Sequence, residues 1–392
     1  MHPRRRVALI ASLSVLAAMG PGSAGPAVAR PNVGTTGPSA ACGPTWRTVA
    51  SPNGGGSSSE LRAAAGTSAS DIWAVGDSGT KALIEHYDGT KWRIVPSPGS
   101  ATALNGVVAI SPRNAWAVGY VDGHDIELPA TGKGLVEHWN GHSWKVVGLP
   151  AVVSSASSGT VLSGISVVTA KDIWVVGEHD GSHLGPLALH YDGSHWTVFD
   201  VDTSLLGQGR LLGVTAVGAS DVWAVGDIFQ GDTIRLTAHW DGHAWTSIAA
   251  ATPTTDGQLR AVDSVSSNDV YAAGNSINEF LPTAEVQRVR SHHWSPVTTP
   301  AQPSVSELDA VVAVSKTSIW AAGWFATSSG ASDAGLVLHS SGGAFTRTAA
   351  PAPGLGKGLA LVAGKQLWLV GSTITGKPPN EGSKTFIARR CV

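Results

Sequence analysis

One unit recurs along the chain about every 50 residues, and that recurrence narrows the possible folds more than any other feature. Residues 104 to 147 display it plainly. A W-A-V-G run at 116–119 is followed by a loop and then by His138-Trp139-Asn140-Gly141-His142-Ser143-Trp144. The aromatic that heads the first run returns as Trp73, Trp116, Trp174, Trp223, Tyr271, Trp320 and Trp368. The aromatic that closes the second returns as Trp92, Trp144, Trp196, Trp245, Trp294 and Phe345, with Trp46 near the start supplying the seventh.

Each unit contains four short β-patterned runs. In the second unit they are 104–110, 115–120, 135–139 and 144–147, separated by S-P-R-N, a variable loop and the tight N-G-H-S turn. Four antiparallel strands per repeat, with Gly and aromatics at fixed offsets, are the pattern of a propeller blade. The expected fold is therefore all-β: a seven-bladed β-propeller with four antiparallel strands per blade. A small residue on the first strand agrees with this: Ala63, Gly106, Gly164, Gly213, Ala261 and Ala310. The inner strand of a blade is crowded. The seventh unit departs here, with Leu361 at the expected place.

The two ends complement each other. Residues 386–392 match a third strand and stop, whereas 42–49 match a turn and a fourth strand. The ring should close through a blade split between both termini. Register places Cys42 and Cys391 at one point of that blade, and a bridge is expected. Closing about 350 residues, it would stabilise by roughly 5 kcal/mol as an upper figure. Two free buried thiols are the alternative.

Before Cys42 the chain reads as an export signal. Arg4 to Arg6 form a basic start, Val7 to Met19 an apolar run, and Ala27-Val28-Ala29 a cleavage site. The expected organisation is a signal peptide over 1–29, a Pro/Gly/Ser/Thr-rich lead-in over 30–41, and a propeller over 42–392. Net charge is −2 with 14% charged residues, so no basic excess exists to hold nucleic acid. No other run is long and apolar enough for stable membrane insertion. The expected product is a monomer, secreted or held in the cell envelope.

The unit D-x-W-A-V-G … H-[Y/W]-[D/N]-G-x-x-W resembles the repeats of exported bacterial seven-bladed propellers, over residues 42–392. Some of these are similar to sugar-binding lectins. WD40, kelch and sialidase Asp-box signatures fit poorly. The resemblance implies that the loops after each W-A-V-G share one face with the interblade links, and that ligands sit on that face.

Five histidines repeat at one position: His86, His138, His190, His239 and His339, with Arg288 and Arg389 in the remaining units. An acid or amide repeats two residues before the first aromatic: Asp71, Asn114, Asp172, Asp221 and Asp269. A group needed once per blade serves the blade, so these read as intrablade hydrogen bonds. A ring of metal ligands is the alternative. No cofactor or metal is assigned.

Function is sought where the units differ. The residue after the motif Gly is Asp77, Tyr120, Glu178, Asp227, Asn275, Trp324 and Ser372. Five aromatics lie off the repeat columns, all in these loops: Tyr120, Phe229, Phe280, Trp324 and Phe325. Aromatic rings beside carboxylates suit sugars. The candidate ligand-binding set is Asp77, Tyr120, Glu178, Asp227, Asn275, Trp324 and Phe325. Two His-acid clusters, His124 to Glu127 and Glu178 to His183, are weaker candidates for a divalent cation. The favoured expectation is an exported non-enzymatic binding module recognising a glycan or an extracellular protein surface. The alternative is a propeller-type glycoside hydrolase or lyase with an acid-lined channel site drawn from Asp77, Glu178 and Asp227. No catalytic residue is assigned. Galactose-oxidase chemistry needs a Cys–Tyr crosslink, but both Cys are better used at the seam; a sialidase nucleophile would have to be Tyr120, the one Tyr off the repeat columns; and no G-x-S-x-G elbow is evident.

Overall fold

The W-A-V run is apolar on consecutive residues, so its strand must bury both faces. The computed structural model shows this directly. It describes residues 42–124, 131–155, 159–179, 185–201, 208–229, 233–248, 256–278, 281–302, 305–326, 333–375 and 382–392. Trp73 and Val75 pack into a core shared with the second blade, around Leu104, Ala117 and Trp144. The intervening Ile72 and Ala74 pack the other way, against Trp368 and Val370 of the last blade. Strand alternation thus welds each blade to both neighbours.

Each unit is one four-stranded sheet, and there are seven. Blade 1 runs outward through Ser59–Ser68, Asp71–Ser78, Lys81–Tyr87 and Trp92–Ile94. Its first strand touches the first strands of the blades on either side, Ala103–Ser111 and Leu355–Val362. The same contact repeats around the molecule, so the seven first strands enclose a central channel. A single helical turn, Ala151–Ser154, lies in a link.

The seventh sheet is the seam. Arg47–Thr48 pairs antiparallel with Gly382–Cys391, which continues to Gln366–Thr375 and Leu355–Val362. Cys42 and Cys391 form the disulfide, with Cα atoms 5.5 Å apart and 349 residues between them in sequence.

The repeated histidines tie strands together within blades. His86 Nε2 lies 2.8 Å from Asp71 Oδ1, and the pattern repeats for His138 with Asn114, His190 with Asp172, and His239 with Asp221. Arg288 takes the role toward Asp269, and His339 meets Ser318 at 3.2 Å. Each imidazole also covers its blade's motif Trp, with centroids 4.1 Å apart for Trp73 and His86. That second use explains why the position is aromatic as well as polar.

A β-bulge interrupts every first strand. In blade 1, Leu61 pairs with Gly76 and Ala63 with Val75, so Arg62 is the extra residue. Its equivalents are Asn105, Ser163, Leu212, Arg260, Asp309 and Lys357. The bulge explains the motif glycine. A Cβ on Gly76 would overlap the Glu60 carbonyl, and the same overlap recurs at all seven motif glycines. It also corrects the reading of blade 7. The small residue there is Gly358, paired with Val370, rather than Leu361. A Cβ on Gly358 would sit 2.7 Å from Arg62 O and 3.0 Å from Ala63 Cα. The neighbouring first strand's backbone, more than the channel, demands the small residue.

Candidate functional site at the channel mouth

Each first strand starts at one end of the ring, and its hairpin turn lies at the other. The antiparallel order therefore brings the loops after W-A-V-G and the interblade links to a common face. The channel opens there. Bulging turns the extra residue away from the sheet. Leu61 and Leu104 before it are fully buried, while Arg62, Asn105, Ser163, Leu212, Arg260, Asp309 and Lys357 are all half-buried. Side chains from successive blades meet around this ring.

Arg62 Nη1 donates to Asn105 Oδ1 at 2.8 Å, and Asn105 Nδ2 donates to Leu162 O at 3.0 Å. Arg62 Nη2 also lies 2.9 Å from Asp77 Oδ1, with Glu60 at 3.9 Å from its Nε. Ser372 Oγ donates to Glu60 at 3.3 Å, joining blade 7 to blade 1. Across blades 5 to 7, Arg260 contacts Glu307 and approaches Asp309 at 3.8 Å, while Lys357 Nζ reaches Asp309 at 3.3 Å. The arc from blade 5 through blade 1 thus carries interleaved charges, and Ser163 and Leu212 leave the opposite arc neutral. Arg260 and Lys357 keep 33% and 30% side-chain exposure, whereas Asp309 keeps 7%. A visitor to the channel meets the cations first.

Blade 4 differs. Arg210 Nε and Nη2 hold Asp227 at 3.0 and 3.3 Å, and Asp227 is fully buried. Burial raises the Asp227 pKa, against the opposing pull of Arg210 and Arg260. Arg235 joins blade 4 to blade 5 through Glu285 at 2.7 Å, and Gln287 donates to the same carboxylate.

The sequence-derived candidates fall at this mouth but mostly between blades. Tyr120 is buried against Ala103 and Val161. Glu178 and Asn275 are buried too. Asp77 is half-buried against Arg62. The strand Ser318–Ala326 continues through Trp324 and Phe325, so their rings point to opposite faces. Phe325 packs on the core between blades 5 and 6, with the Arg347 guanidinium 4.1 Å above it. Trp324 pairs with Gly335, whose face turns toward Gly354 in the link to blade 7, and it remains half-buried. Phe229 lies beneath Arg210 at 5.5 Å. Phe280, Asp125 to Glu127, and Asp180 to His183 lie outside the described residues. The bulge ring escaped sequence reading, although it left a signal. The residue before each small position varies from Arg to Leu while its neighbours repeat.

No family model matches the chain, and no curated protein matches it. Solved structures do. YCF48 bound to a D1 peptide superposes with a TM-score of 0.56 at 12% identity, covering 90% of this chain and 98% of that one. The likeness is one of fold alone. A GH74 xyloglucanase from Xanthomonas campestris gives 0.53 at 13% identity, over 86% of this chain and 55% of the enzyme. The SapL1 lectin in complex with alpha methyl fucoside gives 0.48 at 12% identity, over 75% and 96%. Propellers host binding and catalysis alike, so function must be argued from the site.

Proposed function

We propose that the chain is an exported binding module whose ligand is a protein segment with charged side chains, taken at the channel mouth. The observation that carries this reading is the pair of cations, Arg260 and Lys357, that stay about a third exposed above the covered carboxylates Glu307 and Asp309. Each cation can keep its covered carboxylate and offer its solvent-facing N–H groups to an acidic side chain of the ligand. A neutral glycan cannot supply an ionic partner. Of the described loop aromatics, Tyr120 and Phe325 are committed to packing, Phe229 lies beneath Arg210, and Trp324 is left as a stacking surface beside these charges. Arg and Trp together are the usual anchors of protein interfaces. The buried Arg210–Asp227 pair supports binding over acid catalysis, because that carboxylate is held and covered. Export rests on the basic-apolar start and on a disulfide that persists in oxidising compartments. YCF48, solved with a peptide, offers a fold-level analogy.

The test is a parallel screen of the mature protein against peptide and glycan arrays. Peptide binding should weaken with added salt. It should be lost per folded molecule in the Arg260→Ala/Lys357→Ala double variant, whose melting temperature should fall because Glu307 and Asp309 are left covered and unpaired. Salt-insensitive capture of neutral glycans, or their turnover, would overturn the reading.

A further inference from the structure

A second, separate site is built into the seam. The third-strand position after the repeated histidine holds Tyr87, Trp139, Tyr191 and Trp240 in blades 1 to 4. Those rings pack on the preceding blade's motif Trp, as Tyr87 does on Trp368 at 5.1 Å and Trp139 on Trp73 at 4.9 Å. In blade 7 the position is Arg390, whose guanidinium lies 4.2 Å over Trp320 and 5.7 Å from Trp46. A cation has replaced an aromatic in a packing slot.

Arg390 is half-buried, and among the described residues it has no ion pair. Its one hydrogen bond there runs from Nε to Cys391 O at 3.5 Å. Desolvation lowers its pKa, with no acid opposing the shift. Stacking uses the flat faces of a guanidinium and leaves its in-plane N–H groups directed outward. They border a half-open cleft of about 390 Å³, walled by Pro44, Trp46, Thr48, Ala350 and Pro351. That volume suits a small ligand. Trp46 and Thr48 come from the outermost strand region, so this cleft is on the rim, away from the channel.

We infer that the cleft binds a carboxylate carried on an apolar body, with Arg390 as the anion's partner. A planar fork matches a carboxylate in two parallel hydrogen bonds, and apolar walls suit the remainder of the ligand. The site draws on both chain ends and on the link between blades 6 and 7, so it exists only in the closed ring. Bound ligand and the Cys42–Cys391 bridge therefore favour the same state.

Calorimetric titration of the disulfide-intact mature protein tests this. The probes are benzoate and benzamide, with short peptides ending in a free or an amidated C-terminus. Acids should bind at least about tenfold tighter than their amides. Arg390→Tyr restores the residue type of blades 1 and 3; it should keep the melting temperature and abolish the preference. Ala352 also lines the cleft, and Ala352→Trp should fill it and abolish carboxylate binding while Arg390 is kept. Binding by benzoate identifies a small acid as sufficient, and binding only by free C-termini identifies a polypeptide end; either supports the carboxylate site. Equal affinity for acid and amide, retained preference in Arg390→Tyr, or no saturable binding by any carboxylate overturns it.

Discussion

Gly226 faces the main-chain oxygen of Arg210 with no room for a Cβ between them. The contact exists because the first strand bulges at Leu212, and backbone rather than a flexible side chain blocks the space. Gly226→Ala should destabilise by about 3 kcal/mol, the upper end for overpacking. Gly218→Ala, with nothing within 4 Å of its added carbon, is the control and should be nearly silent. Chemical denaturation of the two variants decides. Equal midpoints would show that the bulge yields freely.

Glu85 and Glu137 are buried on third strands, bonded to Ser51 at 2.9 Å and to Ser97 at 2.6 Å in the links. Burial pushes each carboxyl up to about 7, with the serine bonds opposing the rise. The native state therefore keeps these protons at pH values where the unfolded chain has lost them. Their stabilising contribution is complete below about pH 4.5 and is lost as pH rises through about 7, by about 1 kcal/mol per pH unit for each group. Melting temperature should fall between pH 5 and 7.5. In the Glu85→Gln/Glu137→Gln variant that slope should flatten, and an unchanged slope would contradict the assignment.

Cys42→Ser should lower the melting temperature while the blades other than the split one remain formed. In the chain-entropy treatment the bridge contributes roughly 5 kcal/mol at most. Non-reducing peptide mapping of exported protein should recover the Cys42–Cys391 pair, and two free thiols would refute it.

Trp324→Ala should weaken ligand binding by roughly 1–3 kcal/mol, the range for an interface aromatic. Because Trp324 is half-buried, the variant should stay folded. If it unfolds while binding per folded molecule is unchanged, the ring serves packing between blades 6 and 7.

Blade number, strand order and seam were legible in the sequence because each depends on columns that repeat. Trp73 and its counterparts must fill the same space seven times, and Cys42 and Cys391 fall into register once the columns align. Gly358 lies ten residues before Trp368, as Ala63 does before Trp73, so this column was legible too, and placing it at Leu361 was a misalignment. The bulge, one extra residue that a period-two count cannot see, hid the channel ring. Tyr120 and Asp227 looked like open loop residues. Yet the second strand extends past its motif to Phe229 in blade 4, and its face there turns into the next blade. Variation between units marked the right end of the ring; whether a varied side chain faces ligand or neighbour depends on three-dimensional packing.

The closed seam also sets how the molecule meets force. Tension between its two ends enters at Cys42 and leaves at Cys391, residues only 5.5 Å apart and joined covalently. The load path is one sulfur–sulfur bond, and the hydrogen-bonded sheets lie outside it. Tethered at its N-terminal end and pulled from its C-terminus, the oxidised ring should bear stress as a buckle does. Reduction would transfer that stress to the few ladder bonds that Arg47 and Thr48 make with the strand beside them.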